Sequence, residues 1–270
     1  MNETSHSPES SDIPQPLAAD EGAGVPIEQA DGAAGAEAAA PSPRRWRRHG
    51  RILWGEWLKP LLIIGLVMFS FRSAVADWND VPTGSMKPTI LEGDRIFINK
   101  VAYDLKFPFT TWRLAQWKDP AWGDVVVLRS PEDGKRLVKR VVGLPGDVLE
   151  IRGRILVRNG EPAVYRMLEV EGGMIYLDME PPPALYTEAF DGRKHPIMLR
   201  GNGLHPPGPF IVPEGKFFVM GDNRNNSRDS RYFGPVDRSA ILGQATAVAL
   251  SLDREHYYKP RWQRFFSDLP

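Results

Sequence analysis

Residues 123–129, "GDVVVLR", and residues 136–143, "RLVKRVVG", are two short valine-rich runs separated by turn-forming residues. Runs of this length, rich in β-branched residues and bounded by glycine, proline or aspartate, are typical of β-strands. Other runs of this kind after residue 80 are "GDRIFINKVAY", "DVLEIRGRILVRNG", "KFFVMGD" and "ILGQATAVAL". The sequence therefore predicts a mainly β protein with an antiparallel core, in which Asn159-Gly160 forms a hairpin turn.

The regular strand pattern is interrupted in the second half of the chain. Residues 161–213 contain the proline-rich stretches "EPPPALY" and "HPPGPF", which are typical of loops. We therefore expect a β core made of residues 77–160 and 214–250. An inserted β- and loop-rich subdomain is expected at residues 161–213, and a C-terminal extension at residues 251–270. No helix is predicted after residue 80.

An apolar segment precedes the β region. No charged residue occurs from Leu61 to Phe71. The apolar length grows to nineteen residues, Trp57 to Val75, if the charged groups of Lys59 and Arg72 reach the two membrane surfaces. The segment predicts one N-terminal transmembrane helix at residues 57–76. Tryptophans occur where membrane-interface aromatic residues are expected, at positions Trp54, Trp57 and Trp78. A buried core helix or an uncleaved leader is the alternative.

The chain carries 34 basic and 34 acidic residues, but their distribution is uneven. Residues 1–43 contain no Lys or Arg and many small residues and prolines, which predicts a disordered acidic tail. Residues 44–56 form a basic juxtamembrane segment that begins "RRWRRHGR", whereas Asp77 and Asp80 follow the apolar segment. The positive-inside rule therefore places the N-terminus in the cytoplasm and the β region outside. Zero net charge argues against a nucleic-acid partner.

The composition also limits the possible chemistry. The chain has no cysteine, which excludes a thiol nucleophile, a thiolate zinc site and disulfides. The stretch "GDNRNNSRDSR", residues 221–231, resembles a calcium loop, but Arg224 stands at a ligand position and Ser227 replaces the glycine. We therefore expect no metal site and no cofactor.

Histidine is the usual base for a serine nucleophile, but none of the five histidines is framed by a motif. His6 and His49 precede the apolar segment. The other three are expected to be solvated at the surface: His195, His205 and His256.

Residues 81–90, "VPTGSMKPTI", place Ser85 between Gly84 and Met86 in a stretch that Pro82 and Pro88 make stiff and extended. A serine needs a neighbouring base, and a lysine can serve if its pKa is lowered. Lys139 has apolar neighbours in its run, and desolvation by such groups lowers a lysine pKa. An ordinary exposed strand lysine fits this run as well, so the residues alone leave both interpretations open.

Three stretches, "PTGSMKPT", "KRVVGLPGD" and "GDNRNNSRDSR", follow the apolar segment in that order. Together they closely resemble the bacterial type I signal peptidases, serine-lysine proteases that remove leader peptides from exported preproteins. The resemblance extends from about Trp54 to Leu250. It implies a single-pass protein of the bacterial inner membrane, with its catalytic domain on the outer, periplasmic face. The implied partners are preprotein signal peptides and membrane lipid, without a cofactor.

The resemblance also implies residue roles. Ser85 would be the nucleophile and Lys139 the neutral general base. The backbone N–H of Ser85 and the hydroxyl of Thr83 would form the oxyanion hole, and Ser227 would orient the lysine. Asn225 stands where an aspartate is frequent. The residues expected to support the site are Arg140, Gly221, Asp222, Arg224, Asp229 and Arg231.

Signal peptides carry small residues at the first and third positions before the cut, the A-x-A pattern. The resemblance implies shallow apolar pockets for these residues, with the backbone of residues 81–83 pairing with the substrate as an added strand. The expected lining residues are Val81, Pro82, Met86, Ile90, Leu137 and Val138.

Three alternatives remain beside this interpretation. A self-cleaving regulator of the serine-lysine type would share the dyad, but it would carry a DNA-binding helix-turn-helix and no membrane anchor. A signal peptidase of the endoplasmic-reticulum type would have histidine in place of Lys139. A membrane-anchored β module without enzymatic activity would only bind partners, and substitutions at Ser85 would leave its function unchanged.

Overall fold

The computed structural model describes residues 53–110, 112–168, 183–201 and 208–270. The predicted acidic tail at residues 1–43 and most of the predicted basic segment lie outside the described residues. His205 and part of the predicted insertion also lie outside them. The described chain is mainly β with one long N-terminal helix, which confirms the predicted fold class.

The N-terminal helix is apolar and almost entirely exposed. A π-helical turn, Leu53–Leu58, leads into helix α1, Lys59–Ala74, whose first turn contains Pro60. The helical stretch Trp54–Ala74 is 21 residues long, enough to cross a bilayer. Among the described residues its apolar side chains are exposed rather than packed in a core, which contradicts the alternative of a buried core helix.

The C-terminal end of α1 is attached directly to the β region. Nζ of Lys100 donates to the carbonyl oxygens of Arg72 at 3.0 Å and Ser73 at 3.2 Å. The N–H of Phe109 donates to Oγ of Ser73 at 2.7 Å. A cation at the helix C-terminus satisfies the last carbonyls and complements the helix dipole. Val75 alone separates the helix from the first strand.

The main sheet has nine strands in the described residues. All described strands, in this sheet and in the smaller ones, are numbered together in chain order. The path of the main sheet is β1-β2-β16-β5-β6-β14-β15, and β17 and β18 also pair with β16. Every one of these pairings is antiparallel. The strands are β1 Ala76–Asp80, β2 Asp94–Asn99, β5 Val125–Arg129, β6 Arg136–Gly143, β14 Lys216–Met220, β15 Val236–Asp237, β16 Ile241–Asp253, β17 Lys259–Pro260 and β18 Ser267–Asp268.

Three smaller sheets and one short helix complete the described elements. A two-stranded sheet is formed by β3 Asp104–Lys106 and β4 Arg113–Gln116. A four-stranded sheet is formed by β7 Val148–Arg152, β8 Ile155–Arg158, β9 Glu161–Pro162 and β13 Phe210–Ile211. A three-stranded sheet is formed by β10 Val164–Met167, β11 Ala184–Phe190 and β12 Arg193–Leu199. Helix α2 is Ser230–Phe233.

The sheets do not follow the expected segment boundaries. Strands β7 and β8 pair with β9 and β13, so one sheet crosses the expected boundary at residue 160. The expected extension at 251–270 contributes β17 and β18 to the main sheet. Hairpin turns and strand runs are local signals, whereas sheet membership depends on pairing between distant residues. The Asn159-Gly160 turn is confirmed, with φ values of 55° and 86° at the two residues.

The central strand β5 explains why the main sheet is covered on both faces. Successive side chains of a strand point to opposite faces. Val125 and Val127 pack in a cluster with Ile96 of β2, whereas Val126 and Leu128 pack in a second cluster. A third cluster joins the four-stranded sheet to β6 and β14 through Val142, Leu149, Leu156, Ala163, Val212, Phe218 and Met220. The continuous apolar run of residues 125–128 is therefore a strand that is buried on both faces of the sheet.

We predict that Gly93→Ala strongly destabilises the protein, because Gly93 precedes β2 with φ +87° and a Cβ there would lie 2.0 Å from the Leu252 carbonyl oxygen. Gly134 is the matched control, since its φ is +69° and a Cβ would meet nothing within 4 Å. Gly134→Ala should cost only the roughly 1–2 kcal/mol of left-handed backbone strain. Urea unfolding of the detergent-solubilised protein measures both, and equal losses would contradict the contact argument.

Candidate active site

Ser85 lies on a short, well-supported turn. A 3₁₀ turn, Gly84–Met86, follows extended backbone at Thr83, and the Met86 side chain is buried beneath it. Before the turn, the N–H of Val81 donates to the Asp94 carbonyl at 2.9 Å. The chain leading to Ser85 is thereby fixed to the start of β2, and the Ser85 side chain remains half-buried.

Lys139 of β6 reaches this turn. Its Nζ lies 2.7 Å from Oγ of Ser85 and donates to the Val138 carbonyl at 3.1 Å. Within the sheet, Lys139 is the direct partner of buried Val126. Strand alternation places its side chain on the same face as Leu137 and Val141, away from Val138. The sequence interpretation of an exposed strand lysine is therefore wrong, since the residue is only 3% exposed.

Burial lowers the pKa of Lys139 from 10.5 to about 8. The carboxylates of Asp229 and Asp222 oppose this by raising the pKa, and Arg231 lowers it further. Both carboxylates are engaged by arginines of their own: Arg231 binds Asp229, and Arg140 binds Asp222. A paired carboxylate attracts a third charge less, so the amine keeps a lowered pKa. About a tenth of the amine is neutral at pH 7 with such a pKa.

The Arg140–Asp222 pair joins β6 to the loop after β14. Nε of Arg140 donates to Oδ1 of Asp222 and Nη2 donates to Oδ2, both at 2.8 Å, in a bidentate arrangement. Oγ1 of Thr89 donates to the same carboxylate. Nη1 of Arg140 donates at 2.7 Å to the carbonyl oxygens of Gly123 and Pro270. Buried charges need such complete pairing, and this pair fixes the residue next to Lys139.

Asp229 has the corresponding role at the other end of the loop. Its carboxylate accepts from Nε of Arg231 at 2.8 Å and from Nη2 at 2.9 Å. The same carboxylate accepts from the N–H of Gly221 at 2.9 Å. A Cβ at Gly221 would lie 2.3 Å from Oγ of Ser227 and 2.4 Å from the carbonyl oxygen of Ser85. The loop therefore approaches Ser85 at a point where only glycine fits.

Two of the predicted hydroxyl groups make no hydrogen bond within the described part of the chain. Ser227 is buried beside Gly221, and its Oγ has no partner among the described residues. Thr83 is exposed on the approach to Ser85. The expected contact between Ser227 and Lys139 is not formed in this structure, so the orienting role of Ser227 stays a prediction, as does the oxyanion role of Thr83.

The residues predicted to bind substrate divide into three environments. Val81, Met86 and Ile90 are fully buried in one apolar cluster, and Val138 packs against that cluster. Leu137 packs against the cluster on the other face of the sheet, and Pro82 is exposed. The buried residues lie beneath the Ser85 turn, whereas Pro82 borders it at the surface.

Comparison with known proteins now identifies the family. The model of the family "Signal peptidase, peptidase S26" matches residues 54–250. The chain belongs to this family. It is therefore an enzyme, a serine endopeptidase of the group that processes signal peptides. The non-enzymatic β module considered above is contradicted by this membership.

Several signal peptidases I are similar to this chain along most of its length. That of Pseudomonas fluorescens is 37% identical over 213 residues, which cover 73% of this chain and 72% of the relative. That of Pseudomonas aeruginosa is 35% identical over 212 residues, with the same two coverages of 73% and 72%. Signal peptidase I P of Bacillus subtilis subsp. natto is 32% identical over 206 residues, covering 76% of this chain and 93% of the relative.

Arg224, one of the predicted supporting residues, binds a residue of the three-stranded sheet in this signal peptidase family member. Arg224 binds Glu188 of β11 through two guanidinium nitrogens, one at 2.8 Å, and does not contact Ser85 or Lys139 directly. Arg224 thus connects the three-stranded sheet to the loop of residues 221–231.

His195 was expected at the surface, and this expectation is wrong. The side chain is buried, with Nε2 at 3.0 Å from Oε2 of Glu188 and its ring centroid 5.3 Å from that of Trp122. Burial and the nearby Arg140 charge lower its pKa. Glu188 is its direct partner across the β11–β12 pair, whereas Trp122 is distant in sequence, and a lone histidine in a proline-rich region gave no sign of either contact. His256 is exposed, as expected.

Asn223 was not among the site residues predicted from the sequence. This side chain is buried, and its Nδ2 donates to the Gly84 carbonyl at 3.0 Å. Its N–H donates to the Ser85 carbonyl, also at 3.0 Å. Its position between Asp222 and Arg224 was the available signal. An amide has no acid-base role that would have marked it as part of this family's site.

We predict that Lys139→Met stabilises the protein at neutral pH. The unfolded chain releases this proton near pH 10.5 and the folded protein near pH 8, as burial requires. Below pH 8 both states are protonated, and the folded state bears the cost of a buried ammonium, about 3 kcal/mol. As the pH rises from about 8 to 10.5, that cost disappears.

Urea unfolding at pH 6, 7 and 10 tests this pH dependence. The stability difference between Lys139→Met and the original protein should be constant at the two lower values and shrink at pH 10. Lys118→Met, at an exposed position, is the control and should show no such change. A Lys139→Met protein less stable than the original at pH 7 would contradict the burial argument.

Proposed function

We propose that the chain is a membrane-anchored serine endopeptidase that cleaves N-terminal signal peptides from exported preproteins after A-x-A sequences. Ser85 is the nucleophile and Lys139 the neutral general base. The observation that carries this proposal is the 2.7 Å separation of Nζ and Oγ at a buried position. Family membership supports the proposed reaction class, and this geometry supports the choice of the two residues.

In the proposed reaction, the amine of Lys139 accepts and donates every proton that is transferred. Neutral Lys139 accepts the Ser85 hydroxyl proton as Oγ attacks the carbonyl carbon of the scissile bond. The N–H of Ser85 and the Thr83 hydroxyl stabilise the oxyanion. Lys139 returns the proton to the departing amine, the C–N bond breaks, and an ester with Ser85 forms. Lys139 then deprotonates water as its oxygen attacks the ester carbonyl carbon, and the ammonium returns the proton to Oγ as the ester C–O bond breaks, which regenerates the Ser85 hydroxyl.

The supporting charges keep this amine available. Asp222 and Asp229 lie close enough to raise the pKa of Lys139, and either one unpaired would favour its protonated form. Arg140 and Arg231 neutralise them within buried hydrogen-bonded pairs. Their proposed role is to hold the loop of residues 221–231 in place while leaving the amine without a counter-ion of its own.

The preference for small residues follows from the packing beneath Ser85. Val81, Met86 and Ile90 already fill the interior below the turn, so a substrate side chain entering there has little space. Both backbone hydrogen-bonding groups of Val81 are engaged with residues 93 and 94. These bonds fix the exposed Pro82 and Thr83, and we propose that a substrate strand pairs along them.

We propose that α1 spans the bacterial inner membrane, with the N-terminus in the cytoplasm and the catalytic domain on the periplasmic face. The basic segment before α1 and the acidic residues after it support this orientation. Exposed aromatic side chains near the helix end support contact with lipid headgroups, namely Trp78, Phe107, Phe109 and Trp112. The proposed partners are therefore signal peptides and membrane lipid, and no nucleic acid.

Replacing either reactive group should abolish cleavage of a purified A-x-A precursor by the detergent-solubilised enzyme. Ser85→Ala removes the nucleophile, and Lys139→Ala removes its base. Ser130→Ala and Lys106→Ala are matched controls, because both residues are largely buried away from the site. Mass spectrometry of the products locates the cut. Cleavage by Ser85→Ala at the same bond would overturn the proposed function.

The rate should also rise with pH. If the neutral amine is the base, kcat/KM should increase through a midpoint near pH 8, where folded Lys139 loses its proton. Initial rates measured from pH 6 to 10 in buffers of equal ionic strength give this midpoint. A flat profile from pH 6 to 9 would count against Lys139 as the base.

A further inference from the structure

The Ser85 turn is held from behind by a residue outside the reaction described above. Asn223 is 2% exposed and lies in the loop of residues 221–231. Its side-chain Nδ2 donates to the carbonyl oxygen of Gly84, and its backbone N–H donates to the carbonyl oxygen of Ser85, each at 3.0 Å. Two consecutive carbonyls of the nucleophile turn are therefore bound by one residue.

The bond to Gly84 has a geometric consequence for Ser85. The Gly84 carbonyl and the Ser85 N–H belong to the same planar trans peptide, so they point in opposite directions. Binding the carbonyl oxygen on one side fixes the direction of the N–H on the other side. That N–H is one of the two proposed oxyanion donors. Orientation of this peptide plane therefore decides whether a donor is aimed at the developing charge.

The restraint matters because a glycine precedes Ser85. Glycine has more accessible backbone conformations than any other residue, so a peptide plane next to it rotates easily. In the described structure the Gly84 carbonyl accepts from Asn223 and from the N–H of Lys87 at 3.1 Å. The Lys87 bond lies within the turn, so only Asn223 ties the plane to the body of the protein.

Asn223 is itself rigidly mounted. The N–H of Met198 in β12 donates to the Asp222 carbonyl at 2.8 Å, and the N–H of Arg224 donates to the Met198 carbonyl at 3.0 Å. These two bonds flank Asn223 and form an isolated parallel bridge to the strand. Oδ1 of Asn223 is buried without a partner among the described residues. An apolar residue would avoid that cost, so the requirement at this position is for the NH₂ donor.

We propose that Asn223 is a positioning residue that holds the Gly84–Ser85 peptide with the Ser85 N–H directed into the oxyanion hole. The inference rests on the proposed function of Ser85. Asn223 does not touch substrate or exchange protons. It acts on the transition state through the peptide plane, so its loss should reduce binding of a tetrahedral species more than binding of a planar substrate.

The test compares Asn223→Asp and Asn223→Ala with the original enzyme. Asn223→Asp keeps the shape but replaces the donor by an oxygen that repels the Gly84 carbonyl. Loss of one oxyanion donor costs about 10²–10³ in rate, and a misdirected donor should cost about 10–100-fold in kcat. The affinity for a peptide aldehyde ending in alaninal, which forms a tetrahedral adduct with Ser85, should fall in the same proportion.

Two further readouts separate positioning from a general structural effect. Binding of an uncleaved A-x-A peptide, measured in the Ser85→Ala background, should be unchanged by either substitution. In Asn223→Ala the pH midpoint should also stay near that of the original enzyme, because Lys139 makes no hydrogen bond to Asn223 and alanine adds no charge beside the amine. The control is Asn225→Ala, in the same loop as Asn223. It removes the hydrogen bond that the N–H of Arg200 donates to Oδ1 of Asn225 at 2.6 Å. This variant should keep full aldehyde affinity.

The outcomes are distinguishable. If the original enzyme forms no aldehyde adduct at Ser85, the proposed function fails and this inference fails with it. If the adduct forms and both Asn223 variants bind the aldehyde as tightly as the original, the positioning role alone is overturned. A shifted pH midpoint in Asn223→Ala, or an equal loss of peptide and aldehyde affinity in either variant, would also overturn it. Urea unfolding identifies any variant that is not folded. If Asn223→Ala does not fold, Asn223→Asp is compared with the original enzyme instead.

Discussion

The contact between Nζ of Lys139 and Oγ of Ser85 depends on a single constraint, which is that a lysine amine must be buried without a carboxylate of its own. Two carboxylates lie near it, and each is held by an arginine within the same network. The sheet supplies the apolar surroundings, because Lys139 faces buried Val126 across the strand pair. The Ser85 turn and the loop of residues 221–231 are both positioned around that amine.

Local signals in the sequence predicted the strands and one turn well. The valine-rich runs are β5 and β6, and the Asn159-Gly160 turn has the positive φ values that its residue types favour. Sheet membership was not predictable, because the pairing of β7 with β13 joins residues about 60 positions apart, and loop closure of that length leaves no local trace. The contact between His195 and Trp122 escaped prediction for the same reason.

The sequence predicted only those candidate site residues whose side-chain type and motif indicate a chemical role. Ser85, Lys139 and the paired charges stand in stretches whose order resembles a known family, and the fold brings these stretches together. Asn223 stands in the same stretch, but its contribution depends on the direction of a peptide plane, which residue type does not reveal. Exposure of Thr83 and burial of Ser227 likewise follow from the final packing of two loops.

The junction between α1 and β1 has a consequence for where the enzyme can act. One residue, Val75, links helix and strand, and the amine of Lys100 ties the last helical turn to the sheet. These contacts leave no long free linker between α1 and β1, so rotation of the β region about the helix is restricted. In the proposed membrane arrangement, the fold itself would set the distance between the candidate active site and the bilayer. Under the proposed function, cleavage would then be selected by height above the lipid as well as by side-chain size.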